Sequence, residues 1–146
     1  MIFNKSVTTI SISLKDIHDL TKKTFLANGC DDETSNIMSE LVVNAERDGS
    51  LSHGLFRVPA YIAGLKSGKI NGKGTPEIKQ VSSSVIKVNG NNCLAPVVLK
   101  KSIPSLIKIA KETGVAVLAI NNSHHMAAMW PETEMIAEQR ISCICM

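Results

Sequence analysis

Two polar segments of this chain carry residues able to move protons and grip anions. The first is Ser52-His53-Gly54-Leu55-Phe56-Arg57, and the second, about seventy residues on, is Asn122-Ser123-His124-His125. An imidazole titrates near neutral pH and can pass a proton to a reacting group, while a guanidinium can hold a carboxylate through two parallel hydrogen bonds. His53 and Arg57 are four residues apart, so they share a face if a helix has already begun there. Two readings of the first segment stay open. His53 and Arg57 handle a proton and a substrate carboxylate, or His53 caps the next helix and Arg57 is a solvated surface charge.

The second segment has three readings. Adjacent imidazoles can ligate zinc, but no carboxylate lies at helical spacing, since Glu132 and Glu134 are seven to ten residues on. Neither H-E-x-x-H nor C-x-x-C occurs, so no metal is expected. In a structural reading, Asn122 and Ser123 bond within a turn. In the third, a helix N-terminus following the histidines faces an anionic group such as a cofactor phosphate. The sequence contains neither G-x-G-x-x-G nor G-x-x-x-x-G-K-[ST], which argues against a conventional Rossmann or P-loop site.

The elements around these segments can be placed from periodicity and punctuation. Ser13-Leu14-Lys15-Asp16 starts a helix that buries Ile17, Leu20 and Thr24/Phe25 and stops at Asn28-Gly29. Asp32 caps a second helix with Ile37, Met38, Leu41, Val42 and Ala45 inward, ending near Gly49. A third begins around Gly54, takes Pro59 in its first turn, buries Tyr61, Ile62 and Leu65 and stops at Gly68. Residues 68–76 read as a turn-rich linker with nothing to bury. Strands at 77–81 and 85–88 form an antiparallel pair closed by Asn89-Gly90. A helix over 95–112 follows, with Pro104 predicting a kink or a break and Gly114 past its end. A strand at 115–120 leads into the histidine loop, a helix spans 131–139, and 141–146 reads as a buried strand. The division expected is a helical region, 1–70, and an α/β region, 71–146.

A chain of 146 residues, 44% hydrophobic and 20% charged, suits one soluble globular domain with a real core. A formal charge of +3 without charge blocks and only 3% aromatics argue against nucleic acid. No apolar run reaches the length of a membrane span, and Met1-Ile2-Phe3-Asn4-Lys5-Ser6 lacks the start of an export signal. Cys30, Cys93, Cys143 and Cys145 follow no framework spacing and read as buried reduced thiols, which fits a cytoplasmic location.

The stretch from Ala45 to Tyr61, including Ser52-His53-Gly54, Arg57 and Tyr61, resembles the S-H-G…R…Y segment of the non-Rossmann malate/L-lactate dehydrogenase family. Asn122-Ser123-His124-His125-Met126-Ala127-Ala128-Met129-Trp130-Pro131 is similar to that family's second signature. Its form resembles most the Δ1-piperideine-2-carboxylate/Δ1-pyrroline-2-carboxylate reductase branch, with Met126 in place of the usual aromatic. The resemblance implies an α/β (α+β) fold: an N-terminal helical layer, then the start of a largely antiparallel non-Rossmann nucleotide-binding sheet, in a homodimer. It implies hydride transfer between NAD(P)H and a small 2-oxo, 2-hydroxy or cyclic 2-imino acid, with NADP(H) favoured over NAD(H).

By the same resemblance Ser52 and His53 form a proton relay with an aspartate, and Arg57 contacts the substrate carboxylate. His125, Met126, Ala127, Ala128 and Met129 bind the cofactor, although other members assign the proton acceptor to the His125 position. The relay aspartate and much of the sheet would lie beyond Met146, so an N-terminal fragment is expected. The alternative expectation is a truncated or decayed product without catalysis, acting at most as a partner-binding fragment.

Overall fold

The structure, a computed structural model, describes residues 10–146. The reading of Met1 to Ser6 as lacking an export signal falls outside those residues. The first helix, α1 (Leu14–Ala27), starts where the Ser13 hydroxyl accepts the Asp16 N–H at 3.1 Å. Its buried stripe is Ile17, Thr21 and Phe25, spaced four apart. Leu20, expected inside, is 53% exposed. Thr21 can face the core because its hydroxyl donates to the Ile17 carbonyl at 2.7 Å, leaving no unpaired polar group.

Helix α2 (Asp32–Arg47) is capped by Asp31 rather than Asp32, with the Asp31 carboxylate accepting the Thr34 N–H at 2.8 Å. Met38, Leu41, Val42 and Ala45 are buried on it, and Ile37 packs at their margin. A 3-10 turn (Leu55–Arg57) leads into α3 (Val58–Lys66), which has proline in its first turn and buries Tyr61. Gly68 then adopts a φ of 73°, a left-handed conformation that glycine enters without steric cost.

The stretch after Gly68 is not the unattached linker expected from its turn residues. Ile70 packs against the helical core. The Asp31 N–H donates to the Gly72 carbonyl at 3.1 Å, and the Asn71 N–H donates to the Asn92 carbonyl at 2.8 Å. A Cβ at Gly72 would lie 2.9 Å from the Gly29 carbonyl, so its glycine serves close approach.

Three strands form a mixed sheet in the order β1-β2-β3. Strand β1 (Glu77–Gln80) pairs antiparallel with β2 (Val85–Leu94), as the sequence predicts. Asn89-Gly90 does not close β2. The strand runs on to Leu94 through a pairing irregularity between Asn89 and Cys93, with Asn91 and Asn92 at φ of 48° and 58°. Helix α4 (Ala95–Thr113) crosses over to β3 (Val117–His124), which lies parallel to β2. Pro104 does not break α4; the prolines's ring side and Lys100 are both exposed, so water can serve the Lys100 carbonyl that loses its N–H partner. The last helix is α5 (Trp130–Ala137).

Residues 141–146 form no strand. Ile144 is 87% and Met146 102% exposed, so the expected buried strand is corrected. Its composition favours a strand, yet no ladder partner is found for it among the described residues, and a lone extended segment has no ladder to stabilise it. Cys143 is accordingly exposed and Cys145 half-buried, whereas Cys30 and Cys93 are buried free thiols. Burial pushes the Cys30 thiol up to about 11.

Two of the three packed clusters join the sheet to the helices. One joins Ile17, Phe25, Met38, Val42 and Tyr61 to Leu94 and Val97, which ties the sheet end to the helical layer. The other places Ile86, Val88, Val98 and Ile109 between β2 and α4. A cavity of about 640 Å³ lies among α4, β3, α5 and residues 141–146. Glu132 lines it, is only 7% exposed, and leaves Oε2 without a hydrogen-bond partner.

Burial raises the Glu132 carboxyl above the ordinary carboxylate range. The folded state therefore binds this proton more tightly than the unfolded chain, and the cost of the charged form is felt at neutral pH. Glu132→Gln is expected to raise stability at pH 7 by about 1–2 kcal/mol. That advantage should shrink as pH falls through the raised pKa, because the wild-type carboxyl becomes neutral. Urea unfolding of both chains at pH 7 and pH 4.5 measures it.

Candidate active site

The turn after α2 positions His53. Its N–H donates to the Ser50 carbonyl at 2.9 Å, and its ring Nδ1 lies 2.9 Å from Ser52 Oγ and 3.3 Å from Ser50 Oγ. A hydroxyl at that distance from an imidazole can exchange a proton with it. His53 does not cap the next helical turn. That task falls to Glu46, whose Oε1 accepts the Leu55 N–H at 2.7 Å. Gly54 is buried against the same carboxylate, and a Cβ there would collide with it. Glu46 therefore frees His53 for another role.

Arg57 closes the 3-10 turn, half-buried, with Nε donating to the Ser52 carbonyl at 3.3 Å. The guanidinium is thus aimed by the backbone of the residue whose hydroxyl meets His53. No salt bridge engages it among the described residues, which leaves its terminal nitrogens free for an anion.

The second segment differs from expectation in its backbone. Asn122-Ser123-His124 is the end of β3 rather than a loop: Ser123 pairs with Cys93 and His124 with Leu94. A Cβ at Gly90 would lie 2.7 Å from the Asn122 carbonyl, and the Asn122 side chain donates to Asn89 Oδ1 at 3.1 Å. Neither histidine stands at a helix start, because Met126 to Met129 intervene before α5. His125 begins this loop with φ of 52°, and Ala127 has φ of 55°.

The two segments meet. His125 Nδ1 lies 3.2 Å from the Tyr61 hydroxyl, with the rings edge-on at 5.4 Å between centroids. His53 lies edge-on to Trp130 at 6.2 Å, and Trp130 Nε1 donates to the Asp48 carboxylate at 3.2 Å. Burial lowers the His125 pKa, and the charges of Arg57 and then His53 lower it further. The His53–Trp130 and Tyr61–His125 contacts bring the turn that carries His53, the start of α3 and the segment from His125 to Trp130 next to one another.

The remaining residues of the second segment divide. Ala128 is buried, Ala127 packs against the helical core, Met126 packs against the cluster of Leu99, Ile103 and Ile136, and Met129 is exposed. The large cavity borders Met126 but not His53, Arg57 or His125, so the chemistry lies outside it. Among the described residues no group of three His, Cys, Asp or Glu could hold a metal ion.

Tyr61, Glu46, Asp48 and Trp130 are parts of the site that periodicity does not find. Tyr61 looks like core because its ring is core. The available signal is its hydroxyl, since a buried phenol ordinarily finds a hydrogen-bond partner.

The profile of the malate/L-lactate dehydrogenase family matches residues 12–146. A Δ1-pyrroline-2-carboxylate/Δ1-piperideine-2-carboxylate reductase of Pseudomonas syringae pv. tomato is 38% identical over 138 residues, covering 94% of this chain and 40% of that protein. A malate/(S)-sulfolactate dehydrogenase of Methanothermus fervidus is 37% identical over 114 residues, covering 78% of this chain and 34% of that protein. The solved structure of Δ1-piperideine-2-carboxylate reductase from Pseudomonas syringae pv. tomato superposes with a TM-score of 0.85 at 39% identity. It covers 90% of this chain and 40% of that one. The chain thus spans about 40% of the length of these reductases.

Proposed function

The chain belongs to the malate/L-lactate dehydrogenase family, and from that premise we propose that it carries the proton-delivering and carboxylate-holding part of an NAD(P)H-dependent reductase site. The substrate class is a small cyclic 2-imino acid of the Δ1-piperideine-2-carboxylate or Δ1-pyrroline-2-carboxylate kind, close in chemistry to 2-oxo and 2-hydroxy acids. The observation that carries this reading is the meeting of the two segments, through the Tyr61–His125 hydrogen bond at α3 and the edge-on contact of His53 with Trp130.

The reduced nicotinamide, when bound, supplies the hydride that adds to the imine carbon. Arg57 orients the acceptor by holding its carboxylate through two guanidinium nitrogens. His53, hydrogen-bonded to Ser52, delivers the proton that the imine nitrogen takes up, so that one hydride and one proton convert C=N to CH–NH. The loop from His125 to Met129 fits a dinucleotide in one respect. His125 is exposed at the start of the loop, and its Nε2 offers a polar contact to a ligand.

The same reading takes NADP(H) in preference to NAD(H), a homodimer, a cytoplasmic location, and a division into an N-terminal helical region, 1–70, and a partial nucleotide-binding α/β domain, 71–146. No helix among the described residues is long and apolar enough to cross a membrane. The test is NADPH oxidation, followed by absorbance, with Δ1-piperideine-2-carboxylate as acceptor. Oxidation that requires the acceptor and follows saturation kinetics supports the proposal. Absence of an acceptor-dependent rate, together with no saturable binding of either NADPH or the acceptor to the chain, overturns it.

A further inference from the structure

We propose that Tyr61 is a positioning residue: with the Ala127 backbone N–H, it fixes His125 in the tautomer that carries its hydrogen on Nε2. One donor at His125 has a role that is not adjustable. The Ala127 N–H points at His125 Nδ1 from 3.1 Å, and a backbone amide can only donate. Nδ1 therefore offers its lone pair, and the ring hydrogen resides on Nε2. The Tyr61 oxygen is 3.2 Å from the same nitrogen, so its hydroxyl must donate as well. Burial pushes the Tyr61 phenol up to about 12, so it keeps the proton it donates.

The two partners differ in rigidity. Tyr61 is 2% exposed on α3, with its ring 6.2 Å from Phe25 and its neighbours in the helical core. His125 and Ala127 lie in a loop whose positive φ angles are a region L residues enter sparingly. The core hydroxyl, rather than the loop, thus dictates how the imidazole is turned.

Nε2 of His125 has no hydrogen-bond partner among the described residues. It is the nitrogen left for a ligand, and it presents an N–H donor. Burial first, and then the nearby charge of Arg57, disfavour a second proton on this ring. A neutral N–H suits a carboxamide or phosphate oxygen of a dinucleotide and makes a poor proton source. Delivery of the proton to the substrate is thereby left to His53. For that ligand the inference rests on the proposed function; for the ring state it rests on geometry alone.

Long-range proton–nitrogen NMR on the 146-residue chain, labelled with 15N-histidine, tests it at pH 7.5. His125 should show the Nε2–H pattern. In Tyr61→Phe, which keeps the packed ring and loses only the hydroxyl, the ratio of Nε2–H to Nδ1–H should fall by about fivefold. An Nδ1–H ring in the wild-type chain overturns the inference. So does a Tyr61→Phe spectrum with the wild-type ratio while Tyr61→Leu changes it, because Tyr61 would then act through packing alone. NADPH oxidation and ligand binding report separately: a chain with neither an acceptor-dependent rate nor saturable binding that shows the Nε2–H ring defeats the proposed function and upholds this inference.

Discussion

On the proposed function, His53→Ala is expected to lower NADPH-dependent reduction of Δ1-piperideine-2-carboxylate by about 100- to 10,000-fold, the range set by loss of a positioned proton donor. The reason lies in the turn. Ser50 and Ser52 both address Nδ1 of His53, and this fixes the ring so that its other nitrogen can serve the substrate. Alanine removes the donor without disturbing the Leu55–Glu46 hydrogen bond that starts the next helical turn. The melting temperature should therefore move little while turnover falls. Steady-state rates beside thermal unfolding separate the two effects. A His53→Ala chain that reduces the imine at the wild-type rate contradicts the role given to this imidazole.

The largest loss of stability is expected at Phe25. It is fully buried at the centre of the cluster that joins α1, α2, α3 and the end of β2. Its ring packs 6.2 Å from that of Tyr61. Phe25→Ala removes most of a large apolar side chain and leaves a void that the three helices cannot close without shifting. The expected cost is about 3–5 kcal/mol, a large part of the stability of a domain this size. Urea unfolding at fixed pH measures it. A cost below about 1 kcal/mol would mean that the cluster is loosely packed. Because Tyr61 loses its neighbour in this variant, the His125 ring should also lose its fixed tautomer, which links core packing to the site.

The features that local chemistry decides are legible in the sequence. Ser13 caps α1 because its hydroxyl needs only an N–H three residues on, and Gly68 and Gly114 stop helices because they can take a positive φ. The antiparallel pairing of β1 and β2 is similarly short-range. The features that fail depend on distant partners. Asn122-Ser123-His124 looks like a loop by composition, yet it is strand because Cys93 and Leu94 pair with it from across the sheet. Residues 141–146 look like a strand, yet they form none, because no strand among the described residues pairs with them. The histidine-bearing segments announce themselves by residue type. Their meeting does not, because it depends on Tyr61, whose spacing marks it as core and whose hydroxyl reaches out of that core.

Part of the backbone strain lies at the end of β3 and in the loop that follows it. Asn122, His125 and Ala127 all have φ close to 50°, a conformation that costs of order 1 kcal/mol or more for residues other than glycine. Asn122 is relieved by its side-chain bond to Asn89, and His125 by the Ala127 N–H and Tyr61.

Titration of the 15N-labelled chain with NADPH and then with Δ1-piperideine-2-carboxylate tests most directly whether one cleft serves both turns. The account predicts that signals from Ser52, His53 and Arg57 and from His125 to Met129 move together along a single saturable curve for each ligand. Shifts confined to one turn, different affinities at the two turns for the same ligand, or no saturable shift at all would contradict it.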